Sequence, residues 1–286
     1  MASFIEQLLS RRIGLDVESV GSATIDRAVR RRMQACALAE LDRYTALLDQ
    51  SPPEIAALID EVVVPETWFF RDGEPFAALA EHLARLAPVL HARPLRILSI
   101  PCATGEEAYS IAIVVHEAGL SAEAVGIEAV DISSRVLHAA AQGVFGDYSF
   151  RGTTPEFRDR YFLAQAGGWR LRPEIRRRVS FHRGNLLEPE TLPGGRYDIV
   201  FCRNLLIYFS KESRRRAVGV LSALLNPGGL LFVGHAETAM FGGDELAPVP
   251  RRNTFAFTRS QPDAPPPVPR PQPVAAVAPR RAAAAP

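Results

Sequence analysis

Apolar residues recur at three- and four-residue spacing through the first 64 positions, then regroup after residue 94 into short solid runs separated by helical stretches. Phe4, Ile5, Leu8 and Leu9 make an amphipathic helix within Met1 to Asp16. Ile25, Val29, Met33 and Cys36 share a second face, and Ile55, Leu58, Ile59 and Val62 a third, behind a Ser51-Pro52-Pro53 helix start. These predict a small all-helical unit over 1–64, followed at 65–93 by a loop and a linking helix. From 94 to 259, Leu95 to Ile100, Val125 to Asp131, Tyr197 to Arg203 and Leu230 to Gly234 read as strands. Glu106 to Gly119, Ser133 to Gln142 and Lys211 to Leu225 read as helices, Gly143 closing the second. That alternation implies an α/β unit with a mostly parallel sheet covered on both faces.

Asn226-Pro227-Gly228-Gly229 reads as a turn, and Asn253 to Thr258 as a last strand pairing antiparallel at one edge. About 144 to 182 breaks the alternation: Tyr161-Phe162-Leu163, a Gly167-Gly168 turn and Trp169-Arg170-Leu171 predict a short helix and a small inserted antiparallel β subdomain. Such excursions often carry partner recognition. Ser260 to Pro286, with nine prolines, eight alanines and no apolar periodicity, cannot bury enough surface to offset chain entropy and is expected to be disordered.

Composition narrows the class only a little. A chain of 286 residues, 47% apolar with a net charge of +1, suits one large core plus a smaller unit and does not call for a nucleic-acid partner. Lys211 is the sole lysine, a bias of the kind a GC-rich genome produces, so each arginine has to be argued from its position. Cys36, Cys102 and Cys202 are odd in number, far apart and without histidines at ligand spacing; neither a disulfide frame nor a metal site follows, and a reducing cytoplasm fits. There is no signal-peptide pattern and no apolar run of about 18 residues, so the expected chain is neither exported nor membrane-inserted.

The candidate chemistry begins at Pro65-Glu66-Thr67-Trp68-Phe69-Phe70-Arg71-Asp72. Pro65 ends the preceding helix pattern, so the segment should cross a surface as a loop with its aromatics turned inward. Arg71 is then either a guanidinium held rigidly for a carboxylate or a side chain snorkelling out over a filled core gap. Arg27, Arg30 and Arg31 gather at i, i+3 and i, i+4 spacing, as a solvated helix back or as a grip on an acidic substrate.

In an open α/β sheet, ligands sit beyond the carboxyl ends of the strands. Four segments meet there: Pro101 to Glu107, Asp131, Gly184-Asn185-Leu186-Leu187, and Arg203-Asn204-Leu205. Asp131 is placed to accept from a ribose diol, or to cap the next helix in competition with Ser133. The first loop has one glycine and two acids, which disfavours a pyrophosphate and favours a cationic group; Thr104 to Glu107 also matches a capping box.

Five blocks then carry a family resemblance: Phe69 to Asp72, Thr104 to Ala112, Asn185 to Leu187, Phe201 to Phe209 and Pro227 to His235. In that order and spacing, the chain from its N-terminal helices to about Arg259 resembles the chemotaxis receptor glutamate methyltransferases, the CheR family. The resemblance implies a class I S-adenosylmethionine-dependent methyltransferase (Rossmann-like) sheet, with S-adenosylmethionine as cofactor. It assigns cofactor contacts to Thr67, Arg71, Glu107, Asp131, Asn185, Leu186, Asn204 and Leu205: Glu107 to the amino group, Asp131 to the ribose, Asn185 and Leu186 to the adenine side. Pro65 stands where the family often has asparagine. The loop is similar to that of a branch serving non-flagellar chemosensory systems, in which a proline-rich linker leads to a tetratricopeptide segment. The implied reaction is methyl esterification of glutamates on the cytoplasmic helices of methyl-accepting chemoreceptors, by a cytoplasmic monomer. Arg71 would orient the substrate carboxylate, Tyr208 would place a hydroxyl near the methyl group, and Arg27, Arg30 and Arg31 would dock the receptor. A methyltransferase for another substrate and a non-catalytic adenosylmethionine-binding adaptor are the alternatives.

Overall fold

In the computed structural model, which describes residues 2–63, 65–86, 93–243 and 245–260, the N-terminal periodicity becomes five helices. These are α1 (Ala2–Ile13), α2 (Val17–Val20), α3 (Ser22–Ala35), α4 (Leu41–Gln50) and α5 (Pro52–Val62). Ile5, Leu9, Ile25, Val29, Leu48, Leu58 and Val62 close one core, while Met33 and Cys36 sit half-buried at its margin. The Ser51-Pro52 start works as the sequence predicts, the serine hydroxyl accepting the Glu54 amide. Glu54 is itself buried, and survives there because Arg32 grips it at 2.9 and 2.7 Å and the Tyr44 hydroxyl donates at 2.9 Å. The proline-rich stretch predicted to be disordered lies, beyond Ser260, outside the described residues.

After α6 (Glu74–Leu86) the chain builds a seven-stranded sheet. Its strands are β1 (Leu95–Ser99), β2 (Val125–Asp131), β6 (Val179–Arg183), β7 (Tyr197–Cys202), β8 (Leu225–Val233), β9 (Leu246–Pro248) and β10 (Ala256–Arg259), in the order β6-β2-β1-β7-β8-β10-β9. Strands β6 through β8 run parallel, and β10 and β9 close the edge antiparallel. Between the strands lie α7 (Glu106–Glu117), α8 (Ser134–Gln142) and α11 (Lys211–Leu224). The central strands β1 and β7 are mainly apolar and nearly all buried, Arg96 and Asp198 near their starts excepted, because helices cover both faces. The predicted Asn226–Gly229 turn survives as a bulge inside β8: Tyr197 pairs with Leu225 but Ile199 pairs with Leu230.

The inserted unit is smaller than 144–182. Its three strands, β3 (Val144–Phe145), β4 (Phe162–Gln165) and β5 (Gly168–Leu171), pair antiparallel in the order β3-β5-β4, with α9 (Pro155–Tyr161) and α10 (Pro173–Arg176) beside them. Val179 to His182 belong instead to β6, paired in parallel with β2. As a sheet edge, β6 is only partly covered, so it lacks the solid apolar run of its neighbours.

Two local devices fix the carboxyl ends of the strands. Gly14 bends the α1–α2 link so that Leu15 bridges Phe209 and the Asp16 amide reaches the Tyr208 carbonyl at 2.7 Å. A side chain there would come within 2.6 Å of Leu187 and 2.9 Å of Ser213, on a backbone at φ +73°. The other device is Glu237, fully buried, which accepts the amides of Asn204 (2.9 Å), Leu206 (2.7 Å) and Gly234 (2.7 Å) and so sets the loop after β7. Glu237→Ala leaves three amides without an acceptor, and a loss of about 3 kcal/mol or more is expected in urea unfolding.

Candidate functional site

The sheet order reverses between β1 and β7, and the loops after β1, β2, β6 and β7 converge there. They form the floor of a cavity of about 190 Å³. Asp131, Asn185, Leu186, Asn204, Leu205 and Tyr208 line it, and Ile13, Leu15, Thr24, Val62 and Pro65 of the N-terminal region roof it. The structure therefore brings together Tyr208 and five of the eight expected cofactor residues. Thr67, Arg71 and Glu107 stand outside this lining.

Asp131 ends β2 and is buried. One oxygen accepts the Ala103 amide at 2.9 Å and the other the Ser133 amide at 3.0 Å. Capping of α8 falls to Ser133, whose hydroxyl accepts from Val136. Burial raises the Asp131 pKa against the lowering effect of those amides. Each oxygen keeps a lone pair, as a diol requires.

Glu107 does not form the capping box that its spacing suggested. Gly105 is the N-cap of α7 in a left-handed conformation, and Thr104 donates to Glu106 instead, at 2.7 Å. Glu107 accepts from Ser99 at 2.8 Å and from Arg203 at 3.2 Å. Burial pushes its carboxyl up, and the Arg203 charge works in the opposite direction. Arg203 continues to Asp72 at 2.6 Å and to the Arg71 carbonyl at 3.0 Å, tying the 65–72 loop to the sheet.

In that loop Phe69 is fully buried among Phe145, Phe150 and Phe162, Phe70 is half-buried, and Trp68 lies at the surface side as a seat for arginine. The Arg71 guanidinium stands 4.4 Å from the Trp68 ring, and its Nη1 donates to the Glu66 carbonyl at 2.8 Å. The Nε of Arg71 is buried without an acceptor, as is that of Arg203. The rigid alternative for Arg71 thus fits better than free snorkelling. Asn185 is drawn largely into the fold: its Nδ2 donates to the Arg12 carbonyl at 2.8 Å and its Oδ1 accepts the Leu187 amide at 3.0 Å. Arg27, Arg30 and Arg31 are all exposed on α3, Arg31 pairing with Glu61 at 3.4 Å.

Comparison with known proteins gives this geometry a family. Residues 65–250 match the CheR methyltransferase SAM-binding domain and residues 3–63 its all-alpha domain. The chain belongs to the CheR methyltransferase family. It is 49% identical, over 89% of its length and 61% of the relative's, to a probable biofilm formation methyltransferase, WspC, of Pseudomonas aeruginosa. A protein of the same name from Pseudomonas putida is 46% identical over 91% of this chain and 62% of the relative. The chain thus spans about three fifths of those two proteins. A chemotaxis protein methyltransferase of Klebsiella aerogenes is 36% identical, over 82% of this chain and 81% of that protein.

The residues of this CheR site fit S-adenosylmethionine. Asp131 offers acceptors for a ribose, Ile132, Val136 and Leu186 give an apolar wall for a purine, and Glu107 offers a carboxylate to a cation. The unpaired guanidinium nitrogens of Arg71 and Arg203 suit a carboxylate.

Arg203, Asp72, Ser99 and Glu237 carry the site's internal bonding; the sequence places Arg203 at the strand ends without revealing its pairing. The first two lie inside quoted blocks; nothing in sequence spacing marks Ser99 or Glu237. Replacing Arg203 with Met removes the charge opposing the burial effect on Glu107, so that carboxyl's pKa climbs further. A carboxyl that holds its proton in the folded state above its unfolded pKa costs stability as pH rises through that interval. The deficit of Arg203→Met against the parent, about 3–5 kcal/mol near about pH 8, is expected to shrink toward about pH 5 in urea unfolding.

Proposed function

We propose that this CheR chain transfers methyl groups to glutamate carboxylates of methyl-accepting chemoreceptors, forming methyl esters, in a sensory system of the kind served by the WspC relatives. The observation that carries the reading is Arg71: a guanidinium fixed on an indole, holding one backbone acceptor, with its buried Nε still unpaired. Such a group can clamp a carboxylate through two parallel N–H bonds. When bound, S-adenosylmethionine would supply a methyl group on a sulfonium, which the substrate carboxylate would take up as a neutral ester with the thioether as leaving group and no proton to move.

No general base is needed, because a glutamate with a pKa near about 4.3 is already ionised at neutral pH. The chain's own residues would supply alignment. Arg71 orients the substrate carboxylate, Tyr208 presents its hydroxyl from the cavity wall, and the apolar roof strips water from the nucleophile. Glu107, Asp131, Asn204 and Leu205 hold the cofactor with Leu186, while Asn185 acts chiefly by fixing its loop. Thr67 lies in the same loop as Arg71 and would contact the cofactor from there.

The receptor face would be α3. Thr24 lines the cavity, and on a 3.6-residue helix Arg31 follows it in line with Arg27 close by, so a basic track leads away from the mouth. Arg30 is turned further aside. The partner is then an acidic, solvent-exposed receptor helix in the cytoplasm, met by a single copy of this chain.

Methyl transfer from labelled cofactor to a receptor cytoplasmic fragment is the direct test, the product being a base-labile ester. Arg71→Ala and Tyr208→Phe are expected to lower kcat by about tenfold or more with the fold retained by circular dichroism; turnover at the parent rate in both would remove the catalytic assignment. Reversing Arg27 and Arg31 to Glu is expected to raise KM for the receptor fragment severalfold while S-adenosylhomocysteine affinity, by calorimetry, stays put. Added salt should weaken the parent in the same direction. Unchanged receptor kinetics would return these arginines to the role of a solvated helix back.

A further inference from the structure

The 3-10 turn Asp147–Phe150 and the two residues after it, all part of the inserted unit, lie directly against the 65–72 loop. The Phe69 amide donates to the Ser149 carbonyl at 2.9 Å, and the Phe69 and Phe150 rings stack at 5.4 Å. The Ser149 hydroxyl donates to buried Glu106 at 2.7 Å, which anchors the turn to the start of α7. At Gly152 a side chain would meet the Trp68 indole at 3.2 Å.

Arg151 is the most specific of these contacts. Its guanidinium lies 3.6 Å from the Trp68 ring and 3.7 Å from the Tyr148 ring. Its Nη2 donates to the Glu66 carboxylate at 3.1 Å, which also receives the Tyr148 hydroxyl at 3.3 Å. Arg71 uses the same two neighbours, with its guanidinium over the Trp68 indole and Nη1 on the Glu66 carbonyl. One indole and one glutamate therefore hold both arginines. Trp68 is only half-buried, unlike Phe69, so core packing alone does not fix its ring.

We propose that Arg151 is a positioning residue for Arg71, acting through Trp68: it pins the indole and the Glu66 backbone on which Arg71 rests, and so sets the angle at which Arg71 meets the substrate carboxylate. This rests on the reading that Arg71 orients that carboxylate. A direct grip on substrate by Arg151 is a poorer fit, since two rings crowd its guanidinium and Glu66 occupies Nη2. Planarity matters here, because a guanidinium stacks flat on an aromatic ring and an ammonium does not.

The test compares full-length Arg151→Ala, Arg151→Lys, Arg71→Ala and the Arg71→Ala/Arg151→Ala double variant on a chemoreceptor cytoplasmic fragment. Arg151→Ala should lower kcat about tenfold with KM for the fragment kept within about twofold. Arg151→Lys should rescue little, and the double variant should be no slower than Arg71→Ala alone, because the effect of Arg151 passes through Arg71. A raised KM with parent kcat, full rescue by lysine, or losses that multiply in the double variant would each overturn the proposal. If Arg151→Ala fails to fold by circular dichroism, Arg151→Lys carries the same comparison. A second readout does not depend on turnover: with Trp169 replaced by Phe, acrylamide quenching reports Trp68 alone and should rise in Arg151→Ala. Unchanged quenching overturns the positioning role whatever the activity. Absence of methyl transfer by the parent counts against the receptor reading instead, leaving quenching to decide on Arg151.

Discussion

Arg203 stands just after β7 with 2% of its side chain exposed, and two segments distant in sequence meet on it: Glu107 in the first turn of α7, and Asp72 with the Arg71 carbonyl in the loop before α6. Both of its Nη atoms are engaged there while its Nε is left without an acceptor, and removing one partner would leave still more buried groups unpaired. The 65–72 loop therefore cannot drift from the sheet without orphaning a guanidinium, and Glu107 cannot remain a desolvated carboxylate without a cation beside it. Phe76 lies below the same guanidinium, 5.8 Å from ring centre to charge. Lysine would be a poor substitute, because three acceptors in different directions suit a planar fork better than a single ammonium.

The backbone around that guanidinium is under tension. Phe70, Asp72, Ala103 and Asn204 all have positive φ, between 46° and 64°, without being glycine. Each such residue costs on the order of 1–3 kcal/mol and persists only where surrounding bonds over-determine it. The bonds are identifiable: Ser110 to the Phe70 amide, Arg203 to Asp72, Asp131 to the Ala103 amide, and Glu237 to the Asn204 amide. Buried carboxylates thus serve as structural staples at the loops whose exposed faces line the cavity.

Much of this was legible in the amino-acid order. The central strands show as short, mainly apolar runs because both sheet faces are covered, and Asp131 sits where a strand end and a nucleotide-type sheet coincide. The edge strand β6 was absorbed into the insertion because Val179-Ser180-Phe181-His182-Arg183 is half-exposed and alternates like an antiparallel strand. Thr104 imitated a capping box because spacing does not reveal that Gly105 adopts φ +98° and takes the cap position itself. The pairing of Arg203 is hidden by abundance, one arginine among many, and Glu237 by its isolation: a lone acid in a short non-periodic stretch reads as solvated until the three amides it serves are seen. Long-range pairing of that sort leaves no periodic trace.

The strap that joins Gly14, Leu15 and Asp16 to Tyr208, Phe209 and Ser210 also has a bearing on how the chain matures. The roof of the cavity comes early relative to its floor, since the strand and loop that complete the floor follow it in the chain by nearly 200 residues. Domains generally form as they emerge during translation, so the helical unit can settle early while its cavity-facing surface waits, uncovered, for β7 and the loop beyond it. Closure of the site is then among the last events of folding, and a chain halted before Phe209 would have no complete cavity in which to hold adenosine.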